Sequence, residues 1–295
     1  MSDITAAPRH LRAKAEQIAD PLPDLLAKAD QLARTLMMGG HGRRRAGNGS
    51  EFWQYRPAQA GDPARSIDWR RSGQSDGFFV REQEWQAAQS VHLWCDQSAS
   101  MQFSSLKDHT TKRDRAGLLT MALSILLMNG GERVALDALG TPPRSGTQQL
   151  RRIAQALCAP KNEEHGRPDT APYLPKARSV MISDFLGPLD GVEAAVTLAS
   201  ERGIRGVLFQ VLDPAEETFP YQGRTVFTSM GGGLSHETLR AGDLKARYLE
   251  RLAARKDALQ NLARHAGWQF TSHHTDTPAR VGLLWLFQAL EGGAY

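Results

Sequence analysis

The chain has 295 residues, 41% of them hydrophobic, and its 36 Lys and Arg against 32 Asp and Glu give a formal net charge of +4. This composition supports a sizeable core and excludes a wholly disordered chain. The two cysteines, Cys95 and Cys158, are too few for a disulfide framework or a four-cysteine zinc site. Since the longest apolar run, 118–128, is too short to cross a bilayer and residues 1–20 lack an apolar signal segment, we expect a cytoplasmic protein without a membrane span.

The first region, residues 1–89, is predicted to be an N-terminal extension of mixed structure. Apolar residues at helical spacing predict a helix over 22–38, and Phe78-Phe79-Val80 predicts a strand. Residues 1–72 contain 12 basic and 8 acidic residues, so the whole net charge lies there, concentrated at Arg43–Arg45 in a glycine-rich loop. This loop is either a solvated loop or a surface for phosphate or an acidic partner.

From residue 90 onward, short apolar runs alternate with helical patterns. Strands are predicted at 91–95, 134–139, 179–183, 206–212 and 268–271, and helices at 113–128, 148–157, 192–200, 244–265 and 278–290. Nearly continuous apolar strands joined by helices are typical of a parallel sheet covered on both faces. Residues 90–295 are therefore predicted to form one α/β domain with a doubly wound, mostly parallel sheet.

Several of these strands end in an aspartate, at the edge where parallel sheets bind ligands. The first strand is followed by Asp96-Gln97-Ser98-Ala99-Ser100, and two later strands by Asp184 and Asp213. One carboxylate and two hydroxyls are hard oxygen donors that suit Mg²⁺ or Mn²⁺. Asp184 could bind the same ion directly or through water, whereas a turn is the simpler interpretation of Asp213.

The D-x-S-x-S run, with an aspartate closing a later strand, resembles the metal-ion-dependent adhesion site of von Willebrand factor type A domains. The run from Gly61 to Trp69 (GDPARSIDW) and the later Val80-Arg81-Glu82 resemble the bacterial domain-of-unknown-function 58 family. The resemblance extends over about residues 20–290. It implies a von Willebrand A-like sheet with Asp96, Ser98, Ser100 and Asp184 as Mg²⁺ or Mn²⁺ ligands. It also implies a threonine ligand, for which Thr147 and, second, Thr141 are the candidates.

The resemblance implies a non-enzymatic adaptor for protein–protein interaction that works with a MoxR-type AAA+ ATPase chaperone. An under-neutralised metal ion would leave a coordination position for a carboxylate of the partner. Neither a phosphate-binding loop nor a G-x-S-x-G elbow occurs in the sequence, and we expect no enzymatic activity. The alternatives are a nucleic-acid-binding protein that uses Arg43–Arg45 and a metal-dependent hydrolase.

Simpler structural interpretations stand beside these predictions. Ser98 and Ser100 could merely cap the following turn. Asp62, Arg65, Asp68 and Arg70 could form ion pairs and caps that dock the extension onto the sheet, with Trp53 and Trp69 as packing anchors. Cys95 is expected in the core, and the pair His273-His274 is expected to be structural or exposed to solvent.

Overall fold

The computed structural model describes residues 21–39, 52–59, 67–73, 77–83, 88–105, 110–159, 163–169, 174, 177–233 and 235–291. The described part contains eight α-helices, numbered α1 to α8 in chain order: Pro21–Gly39, Trp69–Ser72, Lys112–Asn129, Thr147–Cys158, Asp190–Glu201, Pro214–Thr218, Lys245–His265 and Ala279–Glu291. It also contains nine strands, β1 to β9: Phe52–Pro57, Phe79–Gln83, Ser90–Cys95, Arg133–Leu136, Arg178–Ser183, Arg205–Leu212, Thr225–Thr228, Ser235–Thr238 and Gln269–His274.

The centre of the fold is a five-stranded sheet in the order β4-β3-β5-β6-β9, and every neighbouring pair is parallel. The chain is thus an α/β protein. The first strand of the sheet, β3, lies between the second, β4, and the third, β5. At such a reversal of strand order the connecting segments leave in opposite directions, and the strand ends there border a crevice.

Helices cover both faces of this sheet, and successive strand residues point to opposite faces. In β5, Val180 and Ile182 join one apolar cluster and Met181 joins the other. The first cluster also contains residues of α1, α3, α4 and α8, and the second contains residues of α5 and α7. Burial on both faces explains why β3, β5 and β6 are almost continuous apolar runs.

Helix α3 is the central helix of the first face, with buried residues on every side. A capping box fixes its start: the Thr111 hydroxyl accepts the Asp114 N–H at 3.1 Å, and the Asp114 carboxylate accepts the Thr111 N–H at 3.3 Å. Helix α1 packs on the outside through Ala29 and Ala33, which are fully buried. The helix of the N-terminal extension therefore shares the core of the sheet.

The hairpin of β1 and β2 is antiparallel, and the short helix α2 lies beside it. Asp68 caps this helix by accepting the N–H groups of Arg70 and Arg71, while the docking of the extension through these residues stays a prediction. The prediction that Trp69 is a packing anchor is wrong, since 61% of its surface is exposed and its ring meets Phe78 edge-on. Trp69 begins a four-residue helix whose buried residue is Ser72. Asp62, Arg65 and Arg43–Arg45 lie outside the described residues.

Most predicted elements occur within a few residues of their predicted bounds, with two informative differences. The strand predicted over 134–139 ends at Leu136, and Asp137–Leu139 form a 3-10 turn. The antiparallel hairpin of β7 and β8 was not predicted, because its residues are largely exposed and lack apolar alternation. None of the described helices combines the length and hydropathy that a membrane span requires.

Candidate functional site

Four neighbouring strands of the sheet are each followed directly by a buried aspartate. Along the edge these are Asp137 after β4, Asp96 after β3, Asp184 after β5 and Asp213 after β6. None exposes more than 6% of its surface. Because all four strands are parallel, the side chains lie at one edge, with Asp96 and Asp184 at the reversal of strand order. Asp137 was not predicted as a strand-end residue, because the strand was expected to run over 134–139 and Asp137 would then lie inside it.

Asp96 is held by neutral hydrogen-bond donors. Its Oδ1 accepts the backbone N–H of Ser98 at 2.9 Å, and its Oδ2 accepts the hydroxyl of Ser183 at 2.7 Å. The carboxylate is 2% exposed, and among the described residues no basic side chain forms an ion pair with it. Burying a carboxylate without a positive partner is costly, so this position favours a cation.

The two serines lie beside this carboxylate. The hydroxyl oxygens of Ser98 and Ser100 are 3.3 Å apart, and both residues are at least 91% buried. Ser98 precedes the 3-10 turn Ala99–Gln102, but its side chain makes no capping hydrogen bond. Capping therefore does not explain the Ser98 hydroxyl. Asp96, Ser98 and Ser100 offer the hard oxygen donors that Mg²⁺ prefers.

Asp184 has a different environment, because it binds a buried lysine. The Nζ of Lys112 donates to Asp184 Oδ2 at 2.8 Å and to Glu216 Oε1 at 2.6 Å. Lys112 is 1% exposed, and its ammonium group lies 5.7 Å from the centre of the Phe103 ring. Asp184 Oδ1 accepts the backbone N–H of Leu186. One lysine is thus shared by two carboxylates, and it compensates the negative charge of Asp184 in part.

Local sequence signals place both partners of Asp184. Lys112 is the first residue of α3, directly after the capping residue Thr111. Glu216 belongs to a second capping box, in which Asp213 accepts the Ala215 N–H and Glu216 Oε2 accepts the Asp213 N–H. Its other oxygen, Oε1, is turned to Lys112. The run Asp213-Pro214-Ala215-Glu216 is a recognisable helix start, so the position of Glu216 could have been found from the sequence.

Burial and charge act in opposite directions on this triad. Burial by itself lowers the pKa of Lys112, but the adjacent Asp184 and Glu216 carboxylates outweigh it and raise that pKa, so the lysine is charged. Burial raises the pKa of Glu216, and Lys112 opposes the shift. Lys112 is therefore a fixed internal cation bound to Asp184, which ends the strand beside that of Asp96.

The structure does not bring Thr147 to this edge. After β4 the chain doubles back, and Arg144 pairs antiparallel with Val134 near the beginning of that strand. Thr147 follows three residues later as the exposed first residue of α4, toward the opposite end of the sheet. Thr141 lies within the returning segment. The predicted threonine ligand at Thr147 is not supported by this path of the chain.

The remaining candidate residues have structural surroundings. Cys95 is buried in β3. His273 is buried against Phe209, and its Nε2 lies 3.1 Å from a guanidinium nitrogen of Arg115. His274 Nε2 lies 2.7 Å from Glu217. Within the described ranges, no three His, Cys, Asp or Glu side chains form a group that could hold a metal ion. A metal site at this edge would therefore depend on the serine hydroxyls.

These features define an α/β protein with a parallel sheet and a row of buried aspartates at its carboxyl edge. The family model described as "Protein of unknown function DUF58" matches residues 54–258, and the chain belongs to this family. An uncharacterized protein of Mycobacterium tuberculosis strain H37Rv is 28% identical over 278 residues, which cover 88% of this chain and 86% of the relative. An uncharacterized protein of Mycobacterium bovis matches equally well.

Two solved structures show weaker likeness. The conserved hypothetical protein BatB from Bacteroides thetaiotaomicron has a TM-score of 0.40 and 12% identity, covering 70% of this chain and all of that chain. An aerotolerance-related membrane protein from Bacteroides fragilis has a TM-score of 0.44 and 15% identity, with the same coverage of both chains. Likeness at these TM-scores supports no conclusion about this protein.

Proposed function

We propose that this protein is a non-enzymatic adaptor of the cytoplasm that binds an acidic group of a protein partner through Mg²⁺ at the strand ends. The proposal takes the sheet as doubly wound and von Willebrand A-like, in keeping with its strand order and with helices on both faces. The observation that carries it is the buried carboxylate of Asp96, which among the described residues accepts from neutral donors alone and lies beside two buried hydroxyls.

The donors present fit a hard divalent cation in part. Asp96, Ser98 and Ser100 would hold it, while Asp184 is bound to Lys112 and Thr147 lies away from this edge. When bound, Mg²⁺ would supply a positive centre with a coordination position that an acidic side chain can fill. The protein's own residues position the donors: the Asp96–Ser98 hydrogen bond shapes the loop, and Ser183 orients the second oxygen of Asp96.

A direct test measures Mg²⁺ binding by titration calorimetry. Wild-type protein is expected to bind Mg²⁺, and Asp96→Asn, which keeps the shape and one acceptor oxygen, is expected to bind at least about tenfold more weakly, because a charged ligand is lost. Asp213→Asn is the matched control, since Asp213 is an equally buried strand-end aspartate whose two oxygens accept the N–H groups of Ala215 and Ser105. Equal Mg²⁺ binding by all three proteins would remove Asp96 from the site.

The partner suggested by the family resemblance is a MoxR-type AAA+ ATPase. Purified ATPase is expected to be retained by the immobilised protein in Mg²⁺ and released by a chelator or by Asp96→Asn. Retention that survives both treatments would exclude the metal from the interaction. Absence of retention, with Mg²⁺ binding intact, would exclude this partner while leaving the metal site in place.

A further inference from the structure

A short segment, residues 163–169, lies across the candidate site and is called the strap below. It follows α4 in the chain but pairs with the loop 96–100 that carries the site. The backbone N–H of Ala99 donates to the carbonyl oxygen of Glu163 at 2.8 Å, and the N–H of Ser100 donates to that of Glu164 at 3.0 Å. The strap therefore occupies two successive main-chain donors of the site loop.

The middle of the strap rests on the Asp96 carboxylate. A Cβ atom built on Gly166 would lie 2.2 Å from Asp96 Oδ1 and 2.5 Å from its Cγ, far inside contact distance. Only glycine lets the backbone approach this closely. The strap lies against this loop, and Asp96, Ser98 and Ser100 are 2%, 1% and 9% exposed. A side chain from outside cannot reach them while the strap is seated.

Two further contacts seat the strap on the segment that follows β5. A Cβ atom on Gly187 would lie 2.7 Å from the Cβ of His165, and one on Gly191 would lie 2.5 Å from the Cγ of Arg167. Pro168 is buried. The facing segment thus has glycines where strap side chains lie. The strap is a fitted cover, with contacts on both sides of Asp96.

We infer that the strap is an internal ligand that occupies the partner-binding face, and that the partner segment is an extended acidic peptide that replaces it. The inference rests on the proposed function for the acidic group. The expectation of an extended peptide rests on the strap itself. An added strand provides carbonyl oxygens that accept backbone N–H groups, as the strap does for Ala99 and Ser100. The strap carries Glu163, Glu164 and Asp169, and Gly166 rests on Asp96, so the partner peptide is expected to have glycine at the position of Gly166 and acidic residues near it.

The test uses the full chain with the strap wedged open. In Gly187→Val the new side chain displaces His165, whose atoms lie nearest to a Cβ built there, and in Gly166→Val it displaces the strap directly. Gly233→Val is the matched control, because no atom lies within 4 Å of a Cβ built there. The probe is a fluorescent peptide with the unchanged sequence of residues 163–169, which keeps the glycine that rests on Asp96.

Both wedged variants are expected to bind this peptide in Mg²⁺ at least about tenfold more tightly than wild type and Gly233→Val, because the internal competitor is weakened. Hydrogen exchange of the Ala99 and Ser100 amides should be faster in the wedged variants and slow again when the peptide is added. Equal peptide affinity in all four proteins, or unchanged exchange at these amides in both wedged variants, would overturn the inference.

Two further measurements separate the strap inference from the proposed metal site. Peptide binding by the wedged variants is measured with a chelator, and again after Asp96→Asn is introduced into them. Peptide binding that is gained on wedging but does not depend on Mg²⁺ or Asp96 supports the strap as internal ligand and contradicts the metal site. Mg²⁺ binding that depends on Asp96 without any gain in peptide affinity contradicts the strap inference and leaves the metal site standing.

Discussion

The ammonium group of Lys112 lies 2.8 Å from a carboxylate oxygen of Asp184, although 72 residues separate the two along the chain. Glu216, a further 32 residues on, completes the triad at 2.6 Å. This buried triad joins the start of α3 to the residue after β5 and to helix α6, which follows β6. It is strongly unfavourable to remove one partner alone, because the remaining charges stay buried without compensation.

Lys112→Met is therefore expected to lower the free energy of unfolding by about 3–5 kcal/mol. Lys256→Met is the matched control: Lys256 pairs with Glu217 at the same edge but is partly exposed, so its loss should cost no more than about 1 kcal/mol. Urea unfolding measures the free energy of unfolding of each variant. The combined change Lys112→Met, Asp184→Asn and Glu216→Gln should recover most of the lost stability, and a cost for Lys112→Met no larger than the control would contradict the charge argument.

The sequence predicts the strand ends well because the signal there is local. A strand such as Ser90–Cys95, whose residues are buried on both faces, indicates a sheet covered on both faces, and Asp96 marks its end. The order of the strands then puts Asp96 and Asp184 side by side, as predicted. Periodicity and strand ends depend on a few residues that are neighbours in the sequence, so they can be predicted without knowing which distant segments come together.

The burial of Lys112 against Asp184 could not be predicted in the same way. Lysine at the first position of a helix is normally exposed, and Lys112 becomes buried only because three distant segments meet around it. Thr147 was misplaced because the chain reverses after Leu136, which the bridge between Val134 and Arg144 reveals. The strap has no periodic pattern, so its pairing with the site loop is visible only in three dimensions.

Gly206 lies at a closely packed position between β5 and the Trp268 ring. A Cβ at this position would lie 2.5 Å from the carbonyl oxygen of Ser179 on the neighbouring strand and 2.9 Å from the Trp268 ring. Gly206→Ala is expected to destabilise the protein by about 1–3 kcal/mol, because neither backbone nor indole can move freely. Gly242→Ala, where no atom lies within 4 Å, is the control. Thermal and urea unfolding should separate the two variants, and equal stability would show that the strands adjust.

Asp137, at the end of β4, is expected to make the protein less stable as pH rises. Burial, and secondly the charge of Asp169, raises the pKa of this carboxyl from 3.8 to about 7. The folded state then holds the proton more tightly than the unfolded chain. Its contribution is fully present below pH 3.8 and is lost as pH rises to about 7.

Asp137→Asn, which stays neutral, should therefore gain stability relative to wild type as pH rises, by up to about 4 kcal/mol above pH 7. The measurement is the free energy of unfolding in urea from pH 4 to 8. Asp257→Asn, on the exposed side of α7, is the control. A constant difference between Asp137→Asn and wild type across this range would show that Asp137 is ionised throughout.

His273 is expected to have the opposite effect. Burial, followed by the charges of Arg115 and His274, lowers the pKa of His273 from 6.5 to about 4, while Asp276 opposes the shift. The unfolded chain then binds the proton more tightly. The contribution of His273 is fully present above pH 6.5 and is lost as pH falls to about 4.

His273→Gln keeps an acceptor for Arg115 and removes the titration, so its stability relative to wild type should rise by about 3 kcal/mol between pH 6.5 and 4. Any loss of packing in this variant is independent of pH, and the slope remains readable. His236→Gln, at an exposed position of β8, provides the control. Because Asp137 and His273 act with opposite signs between pH 4 and 6.5, the wild-type profile should be flatter than that of either variant. Parallel profiles for His273→Gln and wild type would mean that His273 is protonated in the fold and that its bond to Arg115 is not the one described.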